Sequence, residues 1–160
     1  MTSPNPSETD RAWMGTALAL AQRALGRVAP NPAVGCVLVR DGRAVARGWT
    51  QPGGRPHAEQ EALRRAGSDA AGATAYVTLE PCDHHGTTPP CSEALIAAGG
   101  QRCVVAMRDP DGRVAGHGVA RLREAGIEVV EGVREAEAAA LNAGYVRQRR
   151  EGRPEVTLKL

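Results

Sequence analysis

The 160-residue chain predicts an α/β fold of three layers, α/β/α, with a mixed five-stranded central sheet. Three observations carry this. Short Val/Ala-rich runs alternate with longer amphipathic segments along the whole chain, the order that covers both faces of a sheet with helices. Asp41-Gly42 between two apolar runs marks one tight antiparallel hairpin. Later strands are separated by helical segments, the connection that parallel neighbours need.

The elements follow in order. Met1–Thr9 is polar, contains Pro4 and Pro6, and predicts a disordered tail. A helix is expected over Asp10–Leu25, capped by Thr9 or Asp10, with Ala17, Leu18, Ala21 and Leu25 on one face and Gly26 ending it. Pro30-Asn31-Pro32 makes a rigid loop, because each proline fixes φ and biases its predecessor to extended backbone. Val34–Arg40 and Arg43–Gly48 form the hairpin strands, and Trp49–Pro56 is a Gly/Pro-rich loop in which Gly53-Gly54 is a turn. A helix over His57–Ala66, a strand over Thr74–Leu79, a helix over Pro89–Ala98 and a strand over Arg102–Met107 come next. The loop at Asp109-Pro110-Asp111-Gly112 leads to a helix near Val119–Ala125, a short strand Ile127–Val130 and a helix Arg134–Ala143. Arg147–Arg153 reads as a solvated helix end and linker, and Glu155–Leu160 as a final strand.

Composition narrows the function. The length suits one domain with a substantial core. That core must be Ala, Val and Leu, since Phe is absent and the aromatics are Trp13, Trp49, Tyr76 and Tyr145. So few rings make a poor stacking platform for single-stranded nucleic acid, and a net charge of +2 gives no strong attraction to a phosphate backbone. No nucleic-acid partner is expected. The amino-terminal stretch has neither the basic nor the apolar region of a signal peptide, and no apolar run reaches membrane-spanning length. The chain reads as cytoplasmic, with reduced thiols.

The chemistry concentrates in His57-Ala58-Glu59, Pro81-Cys82 and Cys91. One imidazole and two thiolates are three ligands of a catalytic zinc site that keeps a fourth position for water, and Glu59 is a carboxylate left over. H-x-E followed by P-C and a second Cys is the pattern of zinc nucleobase deaminases, although eight residues separate these cysteines instead of two. Zinc lowers the pKa of bound water to about 7, so a nucleophile exists at neutral pH. Glu59 can then take the water proton, protonate a ring nitrogen and later protonate the departing amine. Two alternatives stand beside this: a closed structural zinc site with His84 or His85 as fourth ligand, and a Cys82–Cys91 disulfide. Cys36 and Cys103, in expected strands, read as buried inert thiols.

Asn31-Pro32…Val34-Gly35-Cys36, His57-Ala58-Glu59, Thr78-Leu79-Glu80-Pro81-Cys82, His84-His85-Gly86…Thr88-Pro89-Pro90-Cys91 and Asp109-Pro110…Val114-Ala115-Gly116 together resemble the deaminase domain of the bacterial riboflavin biosynthesis family RibD, within the cytidine-deaminase-like superfamily. The resemblance runs from about Ala12 to the end and implies the cytidine-deaminase-like form of the α/β/α fold. It implies zinc-dependent hydrolytic deamination of 2,5-diamino-6-ribosylamino-4(3H)-pyrimidinone 5′-phosphate, with release of ammonia. Carried over residue by residue, His57, Cys82 and Cys91 would hold one Zn2+ per chain and Glu59 would move protons. Asn31, Ala58 and His84 would contact substrate. Two family positions differ: Thr50 stands where a His is usual, and Thr87 where a Lys or Arg is usual. That cation would be expected to hold the substrate phosphate, and Arg55 or Arg113 are the candidates to replace it. The family also carries a reductase domain. Residues 10–146 would be the deaminase domain, and 147–160 a linker and the first strand of a missing or separate reductase, leaving no NADP site on this chain. A homo-oligomer is expected from the resemblance alone. The competing readings are a zinc deaminase of this fold acting on another base or nucleotide, favoured by Thr50 and Thr87, and a non-catalytic zinc module that partners a reductase.

Overall fold

The structure, a computed structural model, describes residues 4–160. Five strands, β1 (Gly35–Arg40), β2 (Arg43–Trp49), β3 (Thr74–Val77), β4 (Arg102–Val105) and β5 (Glu128–Glu131), lie in the order β2-β1-β3-β4-β5. β1 pairs antiparallel with both β2 and β3, while β3, β4 and β5 run parallel, so the sheet is mixed as expected. Asp41 (φ 53°) and Gly42 (φ 72°) both sit in the left-handed region. That is the backbone of the two-residue hairpin turn that matches strand twist.

The helices are α1 (Glu8–Gln22), α2 (Ala58–Ala66), α3 (Cys91–Ala97), α4 (His117–Glu124), α5 (Glu135–Leu141) and α6 (Ala143–Glu151). α1 packs on β1 and β3 and touches α5; α2 packs on β2 and β1 and touches α3, which in turn meets α4. Sandwiched between the layers, β1, β3 and β4 are buried on both faces, and their sequences read as near-continuous apolar runs. The core is Val, Ala and Leu with Met14, Met107 and Tyr76.

Four expectations change. The first helix starts at Glu8, not Asp10, and its cap is Ser7, whose Oγ accepts from the Asp10 backbone N–H at 3.0 Å while Asp10 Oδ2 accepts from the Ser7 N–H at 3.0 Å. This reciprocal capping box satisfies two donors that a Thr9 cap would leave open. The expected disordered tail is thus shorter on its carboxyl side, and its residues 1–3 lie outside the described residues. The helix expected over Arg134–Ala143 is α5, ending at Leu141, and past Asn142 a second helix, α6, runs into the stretch expected as a helix end and linker. The helix expected near Val119–Ala125 begins two residues earlier, at His117, which opens α4. Glu155–Leu160 forms no strand, because its alternating Val156, Leu158 and Leu160 have no neighbouring strand to pair with and are exposed.

The topology gathers one set of loops. Because β1 is antiparallel to β3, with Cys36 opposite Val77, the start of β1 lies beside the end of β3. Gly35 opposite Trp49 brings the end of β2 there as well. The carboxyl ends of β2, β3 and β4 and the entry to β1 therefore share one edge of the sheet, the place where open α/β sheets bind ligands.

Candidate metal centre and active site

At that edge a cleft is lined by Asn31, Thr50, Arg55, His57, Glu59, Glu80, Cys82, His84, Asp109, Tyr145 and Arg149, with Pro32, Val34 and Leu79. His57 is the N-cap of α2, so Glu59 falls in the first turn; Cys91 is the first residue of α3. Both helix starts turn their partial positive charge toward one cluster, where anions are favoured. His57 Nδ1 lies 3.8 Å from Cys82 Sγ and 3.5 Å from Cys91 Sγ, and the three ligand atoms fall within 4.8 Å of one another.

This donor set fits zinc. Bond lengths of about 2.0–2.1 Å to N and about 2.3 Å to S in a tetrahedron put N and S about 3.6 Å apart, close to both observed distances. The cluster also draws positive charge to itself. The Cys91 S–H and backbone N–H both serve the Cys82 sulfur, and Cys82 is driven down to about 4. Cys91 conversely holds its proton, because the neighbouring Cys82 sulfur and burial both oppose a second thiolate. Cys82 also raises His57 against its burial. Two adjacent sulfurs that cannot both be thiolates unaided, with an imidazole beside them, suit a metal ion that would replace their protons and be shared by all three. Neither His84 nor His85 joins the ligand cluster among the described residues, so the closed four-ligand alternative is not formed: His84 lines the cleft, and His85 is exposed with Nε2 3.5 Å from Glu93. All four cysteines are free thiols, so no Cys82–Cys91 bond forms either. Cys36 and Cys103 are fully buried, and burial raises both.

Glu59 is only 4% exposed and stands on the cleft floor outside the ligand set. Burial first, and then the Cys82 charge, push it up to about 7. A carboxyl poised near neutrality can both accept and deliver a proton.

Other expected contacts are placed as follows. Asn31 lines the cleft and donates Nδ2 to Gly54 O at 3.2 Å; a side chain at Gly54 would collide with it, which fixes glycine there. Thr50 also lines the cleft, but its hydroxyl accepts from Val34 N at 3.0 Å and donates to Pro32 O at 3.2 Å. It therefore shapes the loop carrying Asn31. Ala58 is buried behind the cleft lining, and Thr87 is exposed outside it. Its neighbour Thr88 accepts from Gln60 Nε2 (2.9 Å) and Arg55 Nη1 (3.4 Å), tying the loop to α2. Arg113 pairs with Asp111 at 2.7 Å, away from the cleft.

Sequence reasoning missed several parts. Glu80 accepts from the backbone N–H groups of Asp109, Gly116 and Val119 at 3.0, 3.0 and 3.2 Å, clamping the loop after β4. Asp83 accepts from Ser92 Oγ (2.7 Å) and Arg121 Nε (2.9 Å), joining the Cys82 loop to α3 and α4. A carboxylate beside Pro81-Cys82 was a visible signal for each. Tyr145 and Arg149, one helical turn apart on α6, carried no such signal, because only the tertiary docking of α6 brings them to the cleft.

Residues 7–107 match the family model for the cytidine and deoxycytidylate deaminase zinc-binding region. The chain belongs to this zinc-binding deaminase family. Among its deaminase relatives, the riboflavin biosynthesis protein RibD of Escherichia coli is 55% identical over 151 residues, 94% of this chain and 41% of the relative. The solved structure of Acinetobacter baumannii RibD shares 51% identity at a TM-score of 0.88, over 91% of this chain and 41% of that one. A Thermotoga maritima structure described as a diaminohydroxyphosphoribosylaminopyrimidine deaminase/5-amino-6-(5-phosphoribosylamino)uracil reductase shares 45% identity at a TM-score of 0.87, covering 91% of this chain and 42% of that one. This deaminase chain therefore spans about two-fifths of the length of the RibD proteins it matches.

Proposed function

We propose that the protein hydrolytically deaminates 2,5-diamino-6-ribosylamino-4(3H)-pyrimidinone 5′-phosphate, exchanging the 2-amino group for oxygen and releasing ammonia. The observation that carries this reading is Glu59: a buried carboxyl on the cleft floor, beside His57, Cys82 and Cys91 but not one of the ligands. A purely structural zinc site has no use for it. The identity to RibD proteins, and the wording used for the Thermotoga maritima relative, support the substrate.

Held by His57, Cys82 and Cys91, zinc would supply a Lewis acid that makes water nucleophilic near neutral pH. Glu59 takes the proton of that water and passes it to the ring nitrogen beside the carbon under attack. It then takes the remaining proton, from the hydroxyl now on that carbon, and delivers it to the amino group as the C–N bond breaks. Water and amine give carbonyl and ammonia, and Glu59 ends as it began. Asn31 and His84, at the cleft wall, orient the ring.

Within 147–160, Arg147–Glu151 belong to α6, and residues 152–160 fit the role of linker and first strand of a reductase domain: Val156, Leu158 and Leu160 alternate and are exposed, as a strand awaiting a sheet would be. We infer a cytoplasmic, homo-oligomeric enzyme whose reductase is a covalent neighbour or a separate chain. Among the described residues no helix is long and apolar enough to cross a membrane.

The test is ammonia release by zinc-loaded protein from the diaminopyrimidinone ribosyl phosphate, with cytidine, guanine and adenosine alongside and Glu59→Gln as control. Turnover confined to the first compound and lost in the variant supports the reading. Turnover of another base instead makes this a substrate-shifted deaminase, a reading favoured by the Thr50 hydroxyl being committed to backbone.

A further inference from the structure

The cleft mouth carries two cations, Arg55 from the loop before α2 and Arg149 from α6. Both side chains are exposed, whereas Glu59 and Cys91 at the other end are buried, so the arginines stand toward solvent. Of the nineteen arginines, ten close ion pairs: Arg40, Arg64, Arg65, Arg102, Arg108, Arg113, Arg121, Arg123, Arg134 and Arg153. Among the described residues Arg55 and Arg149 are two of those that close none, and they are the two that line the cleft. Arg149 lies over the Tyr145 ring, 5.3 Å from guanidinium carbon to centroid, which restrains the plane of its fork. Arg55 is held only by a long 3.4 Å contact to Thr88 Oγ1. Its neighbour Gly86 adds no side chain to cover it, a Cβ there falling 3.4 Å from Arg55 Nη2. Arg149 favours the charged forms of Asp109 and Asp111 through space but closes no ion pair with either: Asp109 accepts from the Asp111 backbone N–H, and Asp111 accepts from the Arg113 N–H and pairs with its guanidinium.

We propose that Arg55 and Arg149 form a two-arginine phosphate clamp at the cleft mouth, which takes the 5′-phosphate of the substrate in place of a cation at position 87. This rests on the deaminase reading above for the identity of the substrate, but not for the clamp's ligand, a ribosyl phosphate. Guanidinium forks match phosphate oxygens two at a time, and an uncommitted, ring-stacked fork gives up little freedom on binding. The clamp also sets the reach of the site. A substrate held by its phosphate at the mouth must place its base at the floor, beside Glu59.

Two measurements separate the clamp from the reaction. The first is calorimetric binding of ribose 5-phosphate, with ribose as control, to zinc-loaded wild type, Arg55→Ala, Arg149→Ala and the double variant. Wild type should bind ribose 5-phosphate and not ribose. Each single variant should weaken binding roughly 10- to 100-fold, and the double variant should abolish it. The second is turnover of the phosphorylated substrate against its dephosphorylated nucleoside. The variants should raise KM for the former by a far larger factor than for the latter, with zinc content unchanged, and Arg149→Lys should restore only part because an ammonium lacks the fork. Equal binding of ribose 5-phosphate by wild type and double variant, or none by wild type, overturns the clamp even if the protein is an active deaminase. Selective phosphate binding lost in the variants, without turnover of the diaminopyrimidinone, keeps the clamp and sinks the substrate assignment instead.

Discussion

At the scale of single residues the site depends on groups that touch it and on groups that only hold those in place. Glu59 belongs to the first kind. Replacing it with Gln keeps shape and removes the proton acceptor, so turnover should fall by about 10²–10⁴, while zinc content measured by atomic absorption stays at one per chain. Loss of zinc in that variant would make Glu59 a ligand-shell residue and break the division of roles. Asn142 belongs to the second kind. Its amide closes a two-way bond with the Ala33 backbone, accepting from N–H at 2.9 Å and donating to C=O at 2.7 Å. It is 9% exposed, so Asn142→Ala strands two backbone groups where little water reaches them. The expected cost is about 2–3 kcal/mol, a fall in Tm of roughly 4–12 °C for a domain of this size. The loop it anchors carries Asn31, so KM should rise as well. A thermal melt and a substrate titration on the same preparation check both parts.

Among the elements, the contact between β2 and α2 places His57 and Glu59. Gly48 faces the helix so closely that a Cβ there would lie 2.3 Å from Ala58 O and 2.6 Å from Ala62 N. Those are backbone atoms, which cannot swing aside, so Gly48→Ala must push the start of α2 outward and carry His57 and Glu59 with it. We expect a stability loss of about 1–3 kcal/mol together with a drop in kcat of up to about 10²-fold, the scale of a 1 Å misplacement. A wild-type kcat with reduced stability would show that the helix slides without disturbing the site. The elements differ in how legible they were. The hairpin was plain because Asp41-Gly42 fits few other backbones, and His57, Glu59, Cys82 and Cys91 were plain because their chemistry is written in residue type and spacing. Where α5 stops was legible to within two residues, the expected helix ending at Ala143, because Asn142 and Gly144 are poor helix formers. That a second helix follows was not, because Asn142 is held there by a partner 109 residues away. For the same reason the docking of Tyr145 and Arg149 at the cleft could not be read along the chain. Glu155–Leu160 fails in the opposite direction: its alternation is strand-like, but strands need neighbours.

For the molecule as a whole, one buried cluster ties the amino-terminal helix to the parallel half of the sheet. Asp10, 2% exposed, accepts from Arg102 Nη1 at 2.6 Å and Nη2 at 2.9 Å and from the Tyr76 hydroxyl at 3.1 Å. α1 is thereby pinned to β3 and β4, and Arg102 extends the chain of charges to Glu128 on β5 at 2.9 Å. The Arg102 guanidinium first, and then the Ser7 backbone bond, hold the Asp10 carboxyl well below the usual carboxylate range. An acid whose folded pKa lies below its unfolded value of about 3.9 stabilises the fold at pH above that value and loses the contribution as pH falls toward the folded pKa. The stability contributed by this cluster should therefore be flat from neutrality to about pH 5 and decline below it. In Asp10→Asn the carboxylate is gone at every pH while Arg102 stays half-enclosed. That variant should be less stable at pH 7 by about 2–3 kcal/mol, the scale of hydrogen bonds to a charged group. Its stability should also fall less steeply than wild type between about pH 5 and pH 2, so the two curves converge in acid. Urea unfolding of both proteins across that range measures the gap directly. A gap that stays constant with pH would mean that Asp10 acts through shape and capping of α1, and that the charge joining α1 to the sheet contributes nothing.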